Sequence, residues 1–117
     1  DLNEKNNWLP DFKQLNNLDL SNVKIMWVNY PHMPTGARAS ISHFSELVNF
    51  AIDNNILIVN DNPYSFILSD KPLSIMNVEG AKDVCIELNS LSKSFALVSI
   101  KVIILSKDAP PIQTIES

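Results

Sequence analysis

In the stretch Glu87 to Phe95, Glu-Leu-Asn-Ser-Leu-Ser-Lys-Ser-Phe, an apolar run breaks into hydroxyls and delivers one lysine, Lys93. A primary amine set among Ser90, Ser92 and Ser94 is either a solvated cation or, with its pKa lowered by cationic neighbours, a nucleophile able to form a Schiff base. Two other polar segments could serve such chemistry. Asp61-Asn62-Pro63-Tyr64 carries a carboxylate and a phenol, and Asn29 to Gly36 carries an amide and His32. Each of these residues has an ordinary use as well. A carboxylate at a strand end is commonly a turn or cap, a tyrosine there a half-buried core residue, and loop hydroxyls commonly bond the local backbone. Their meaning therefore depends on whether the fold brings the segments together. Cys85 lies inside an apolar run without electropositive neighbours and reads as a core thiol rather than a nucleophile.

The elements that must position these residues are visible as hydrophobic patterns. Val23 to Asn29 is β-branched, aromatic and nearly continuous in apolarity, which predicts a strand covered on both faces. Ser40 or Ser42 can cap a helix whose apolar residues Phe44, Leu47, Val48, Ala51 and Ile52 repeat at helical spacing until Asn54-Asn55. Ile56 to Val59 then predicts a short buried strand, and strand, helix, strand implies a right-handed βαβ unit. Val84 to Leu88 and Val98 to Leu105 read as further strands, and Leu73 to Asn77 as a loose strand or loop. Near the start, Asp1 to Asn7 reads as irregular, and a helical turn is expected over Asp11 to Leu15. The fold class is α/β, a mainly parallel sheet with flanking helices. Three polar segments, Asn29 to Gly36, Asn60 to Tyr64 and Asn89 to Ser94, each follow a strand at its carboxyl end, so parallel strands would gather all three at one edge, where open α/β sheets bind ligands.

Composition narrows the classes of function. The 117 residues suit one domain at most, and no apolar run approaches the roughly 20 residues of a membrane span. A net charge of −4, with nine Lys and Arg spread along the chain, argues against a nucleic-acid surface, and no membrane is expected. The single cysteine cannot form an internal disulfide and fits a reducing, cytoplasmic compartment. The start at Asp1 and the helix-like pattern after Pro110-Pro111 that stops within about two turns suggest a piece of a longer protein.

In order and approximate spacing, Asn29 to Gly36, Asp61-Asn62-Pro63-Tyr64 and Ser90-Leu91-Ser92-Lys93 resemble the motifs of the class I and II aminotransferases, pyridoxal-phosphate enzymes of fold type I. The likeness is closer to the aspartate and diaminopimelate aminotransferase group. It implies that residues 1–117 are the middle of a large, cofactor-binding domain, with the N-terminal part and the small domain absent. It also implies roles: Lys93 forms the Schiff base and moves a proton, and Asp61 pairs with the cofactor's pyridine nitrogen. Tyr64 bonds the ring oxygen, Ser90 and Ser92 lie near the phosphate, and no metal takes part.

The chain departs from the family pattern at two places. Met33 stands where the family usually has an asparagine before Pro-Thr-Gly, with His32 beside it as a substitute donor. Lys101 stands where an arginine usually grips the phosphate, which keeps the charge but loses the bidentate fork. The parent would exchange an amino group between an amino acid and a 2-oxo acid as a homodimer. Two other readings are an inactive remnant that folds and self-associates, and an unrelated doubly wound domain of flavodoxin type.

Overall fold

A computed structural model of the chain describes residues 2–90. Lys93, Ser92 and Lys101 lie outside the described residues, as do the strand expected over Val98 to Leu105 and the helical pattern after Pro111. Three parallel strands form the sheet in the order β1-β2-β3: β1 Ile25–Val28, β2 Leu57–Asp61 and β3 Cys85–Leu88. The register pairs Val28 with Asn60 and Asn60 with Glu87, so the three carboxyl ends finish side by side.

The long helix, α2 Ile41–Asn54, follows from its sequence at both ends. Ser40 is the N-cap, its Oγ accepting from the His43 N–H at 3.3 Å, while the Ser40 N–H donates to His43 Nδ1 at 3.2 Å. Asn55 ends the helix in the left-handed region, φ 52°, with its N–H turned back to the carbonyls of Ala51 and Ile52. Phe44, Leu47, Val48 and Ala51 form the buried stripe. They pack with Val28, Ile58 and Cys85 of the sheet, which places the core between α2 and one sheet face. We expect Ser40→Ala to cost about 1 kcal/mol, the usual value of a serine N-cap. The loss should appear as a lower urea midpoint with an unchanged denaturant slope.

Gly80, φ 80°, is required where the chain enters α4 Ala81–Val84. A Cβ there would stand 3.2 Å from Ile52 Cδ1 of α2, so both conformation and space favour glycine.

Several expectations are corrected. β1 is covered on one face only, because Ile25 and Trp27 are 57% and 61% exposed. Continuous apolarity indicated two covered faces, yet these two outward side chains stay more than half exposed among the described residues. Of the two readings of Leu73 to Asn77, the strand is excluded: the segment is a loop with a 3₁₀ turn, Ile75–Asn77, capped by Ser74 at the Met76 N–H. Residues near the start are not wholly irregular, since Glu4–Asn6 form a 3₁₀ turn capped by Asn3. Two short helices lacked a legible pattern, α3 Ser65–Leu68 and α4. The turn α1 Phe12–Leu15 follows Asp11 as expected, with the Asp11 side chain accepting from Gln14 N at 3.1 Å.

Candidate active site

The carboxyl ends of the three strands carry three of the polar segments to one edge, and side-chain amides stitch them together. Asn29 spans two of them. Its Nδ2 donates to the Asp61 carbonyl at 2.6 Å, and its Oδ1 accepts from the Met33 N–H at 2.8 Å, so one side chain fixes both the end of β2 and the loop after β1. That loop closes on itself through Gly36 N–H to His32 O at 2.7 Å and His32 N–H to Ala37 O at 2.8 Å. Asn62 links the end of β2 to β3, its N–H donating to Leu88 O at 2.8 Å, while its Oδ1 accepts from the Ser65 N–H at 3.2 Å at the start of α3.

Asp61 is the last residue of β2 and is partly exposed. Its carboxylate accepts no hydrogen bond from the described residues, and burial raises its pKa above the usual carboxylate value. A desolvated carboxylate of this kind favours a cationic or N–H donor beside it. Tyr64 is the N-cap residue of α3, three positions on and partly buried. Ser90 stands two residues beyond the end of β3, level with this edge. Asp61, Tyr64 and Ser90 therefore share the sheet edge as expected. His32 is engaged on its own loop, Nδ1 to Thr35 Oγ1 at 2.7 Å, with its ring stacked at 6.1 Å on Trp8.

Sequence reasoning overlooked a buried polar network beneath this edge. Asn60, Asn62 and Glu87 are all buried, and Tyr30, taken as the start of a loop, is a core residue whose hydroxyl donates to Trp8 O at 2.8 Å. Burial pushes that phenol up to about 12. A signal existed: Glu87 alternates with Cys85 on the core-facing side of a strand, where a carboxylate needs partners. Cys85 is the core thiol expected, 2% exposed and pushed up to about 12 by burial and by the neighbouring Glu87 charge. We expect it to resist thiol-specific alkylation in the native state at pH 8 and to react at once in denaturant, which a timed labelling assay would show.

A cavity of about 480 Å³ lies along β1, between it and the N-terminal segment that carries Pro10, Gln14 and Leu15. Trp27, Asn29, Tyr30 and His32 line it, whereas Asp61, Tyr64 and Ser90 do not. No group of three or more metal-ligating side chains occurs among the described residues, and none of their helices is long and apolar enough to cross a membrane.

A parallel sheet whose carboxyl edge gathers a desolvated aspartate, a nearby tyrosine and the approach to a serine-flanked lysine defines a class. The chain matches the family described as "Aminotransferase class I and II" over residues 1–113, and it belongs to that family. Among individual relatives it is similar to LL-diaminopimelate aminotransferase of Dehalococcoides mccartyi strain BAV1, 45% identical over 86% of this chain and 26% of that protein. It is also similar to the LL-diaminopimelate aminotransferase of Aquifex aeolicus, 41% identical over 86% of this chain and 27% of that protein. Among solved structures, substrate-bound BacF from Bacillus subtilis superposes with a TM-score of 0.75 at 38% identity, covering 83% of this chain and 25% of that one. L,L-Diaminopimelate aminotransferase from Chlamydomonas reinhardtii superposes with a TM-score of 0.68 at 34% identity, covering 84% and 23%. The chain spans about a quarter of the length of the relatives it matches.

Proposed function

We propose that the chain is the cofactor-holding part of the large domain of a pyridoxal-phosphate-dependent aminotransferase, with Lys93 as the amine that holds the cofactor covalently. The observation that carries this reading is the Asp61 carboxylate, partly desolvated and without a hydrogen bond from the described residues, at the sheet edge beside which Ser90 stands. The donor set suits that cofactor at Asp61 and Tyr64. At Met33 it lacks the family's amide, and the Met33 N–H is already taken by Asn29.

The bound cofactor supplies a protonated pyridine ring that accepts the electron pair released at the substrate α-carbon. The chain's residues do the rest. Asp61 holds a proton on the ring nitrogen and so relieves its own desolvation. Tyr64 donates its O–H to the ring oxygen, Ser90 and Ser92 bond the phosphate, and Lys101 neutralises it as a point charge. Lys93 Nζ, freed when the substrate amine takes its place on the cofactor, would carry the proton from the substrate α-carbon to the cofactor.

The intact protein would exchange an amino group between an amino acid and a 2-oxo acid in the cytoplasm. It would work as a homodimer, a reading supported by the exposed Ile25 and Trp27. Size-exclusion chromatography should then give a dimer, and a clean monomer would count against that assembly.

Pyridoxal phosphate titrated into the 117-residue chain should give a saturable absorbance change, and a linear, non-saturating response would refute the cofactor reading. No transamination is expected from these 117 residues alone, because Met33 and Lys101 weaken the cofactor site and orienting the substrate carries much of the barrier reduction. Measurable turnover would overturn that expectation.

A further inference from the structure

One buried charge beneath the edge has no part in the chemistry above. Glu87 is 3% exposed, and both of its oxygens are engaged. Oε2 accepts from Asn60 Nδ2 at 3.1 Å and from the Ile75 N–H at 3.1 Å. Oε1 accepts from Asn89 Nδ2 at 3.4 Å. Asn60 Oδ1 in turn accepts from the Tyr30 N–H at 3.1 Å, so a run of hydrogen bonds crosses the sheet from Tyr30 through Asn60 and Glu87 to Asn89.

Register places Val28, Asn60 and Glu87 in one row, and strand alternation turns Asp61 and Leu88, the next row, to the opposite face. The network thus lies behind the edge that the reactive residues occupy. Three of its members adjoin a site residue in sequence: Tyr30 follows Asn29, Asn60 precedes Asp61, and Asn89 precedes Ser90. A buried carboxylate is a poor device for stability alone, since a well-packed apolar residue of similar volume usually serves as well. What it adds is direction. A carboxylate only accepts, so both amides must turn their Nδ2 groups toward it. For Asn89 that choice leaves Oδ1 buried and without a partner among the described residues.

We propose that Glu87 is a positioning residue for the cofactor-holding edge. By orienting the Asn60 and Asn89 amides, it sets the direction in which Asp61 and Ser90 leave the sheet. This rests on the reading of Asp61 and Lys93 as cofactor residues.

Glu87→Gln separates direction from packing. Its one oxygen still serves Asn60 Nδ2 and the Ile75 N–H, while its new Nε2 faces Asn89 Nδ2 donor to donor, so the Asn89 amide must turn over. Asn89→Ala removes the same arm and leaves the Asn60 and Ile75 bonds intact. Wild type and both variants, each as the 117-residue chain, would be compared in melting temperature, pyridoxal-phosphate Kd by absorbance, and backbone hydrogen exchange over residues 60–64 and 89–93.

The expected result is a melting temperature within about 3 °C of wild type. With it should come, in Asn89→Ala, a Kd raised about tenfold and exchange over 89–93 faster by about tenfold, on the scale of one lost charge-assisted hydrogen bond. In Glu87→Gln, where the turned amide keeps a neutral bond, the shifts should be smaller and in the same directions. Wild-type Kd and wild-type exchange in both variants would overturn the proposal. If Glu87→Gln fails to fold, Asn89→Ala decides by the same two readouts. Should wild type itself bind no cofactor, the cofactor reading fails on its own, and unchanged exchange in the variants would separately remove the positioning role.

Discussion

Lys93→Ala is expected to abolish covalent retention of pyridoxal phosphate. After borohydride reduction and denaturing gel filtration, wild type should keep close to one cofactor per chain and the variant only background. The effect is large because the bond depends on one amine held at one place. Asn62 bonded to Leu88 and Asn29 bonded to the Asp61 carbonyl fix where the sheet edge lies, and Lys93 follows Leu88 by five positions. Among the described residues, Lys5, Lys13, Lys24, Lys71 and Lys82 are exposed side chains. Non-covalent binding should survive in part, because Asp61 and Tyr64 are untouched. Lys93→Arg should behave like Lys93→Ala, since a guanidinium keeps the charge but is never the free amine that the bond requires.

Asp61→Asn is expected to separate stability from binding, with opposite signs. Burial raises the Asp61 carboxyl in the folded chain above its unfolded value. A group shifted in that direction contributes stability that is fully present below the unfolded carboxylate pKa and is lost as pH rises through the folded value. At pH 7 the ionised side chain is therefore a liability to the cofactor-free fold, and the neutral amide should be at least as stable in urea melts. That advantage should vanish as pH falls through the carboxylate range. Cofactor binding moves the other way. Losing a charge-assisted bond to the ring nitrogen should cost about 1.5–3 kcal/mol, roughly a 10- to 100-fold rise in Kd. A variant that is less stable at pH 7 yet binds normally would contradict the role assigned to Asp61.

Much of this arrangement could be read from residue patterns, and the exceptions have physical reasons. Helix α2 was legible because both of its ends are chemical: Ser40 at the cap and Asn55 in the left-handed stop leave little freedom of boundary. The convergence of Asn29 to Gly36, Asn60 to Tyr64 and Asn89 to Ser94 on one edge was expected from parallel strands alone, and the register sets the three strand ends side by side, with the third segment described only to Ser90. The open face of β1 was not legible. Ile25 and Trp27 carry the composition of a covered strand, and whether anything covers them is decided by chain that sequence pattern alone does not place. Short helices such as α4 escape periodicity because four residues make barely one turn. The Tyr30–Asn60–Glu87 network escaped because its members are far apart in sequence and each is unremarkable alone; only the register makes them neighbours.

The most direct measurement is the position of the label. The 117-residue chain would be incubated with pyridoxal phosphate, reduced with borohydride, digested and mapped by mass spectrometry. The account predicts a single modified lysine at Lys93, with Lys101 and the other six lysines unlabelled. Label scattered over several lysines, or absent from Lys93 while the chain is folded, would contradict it.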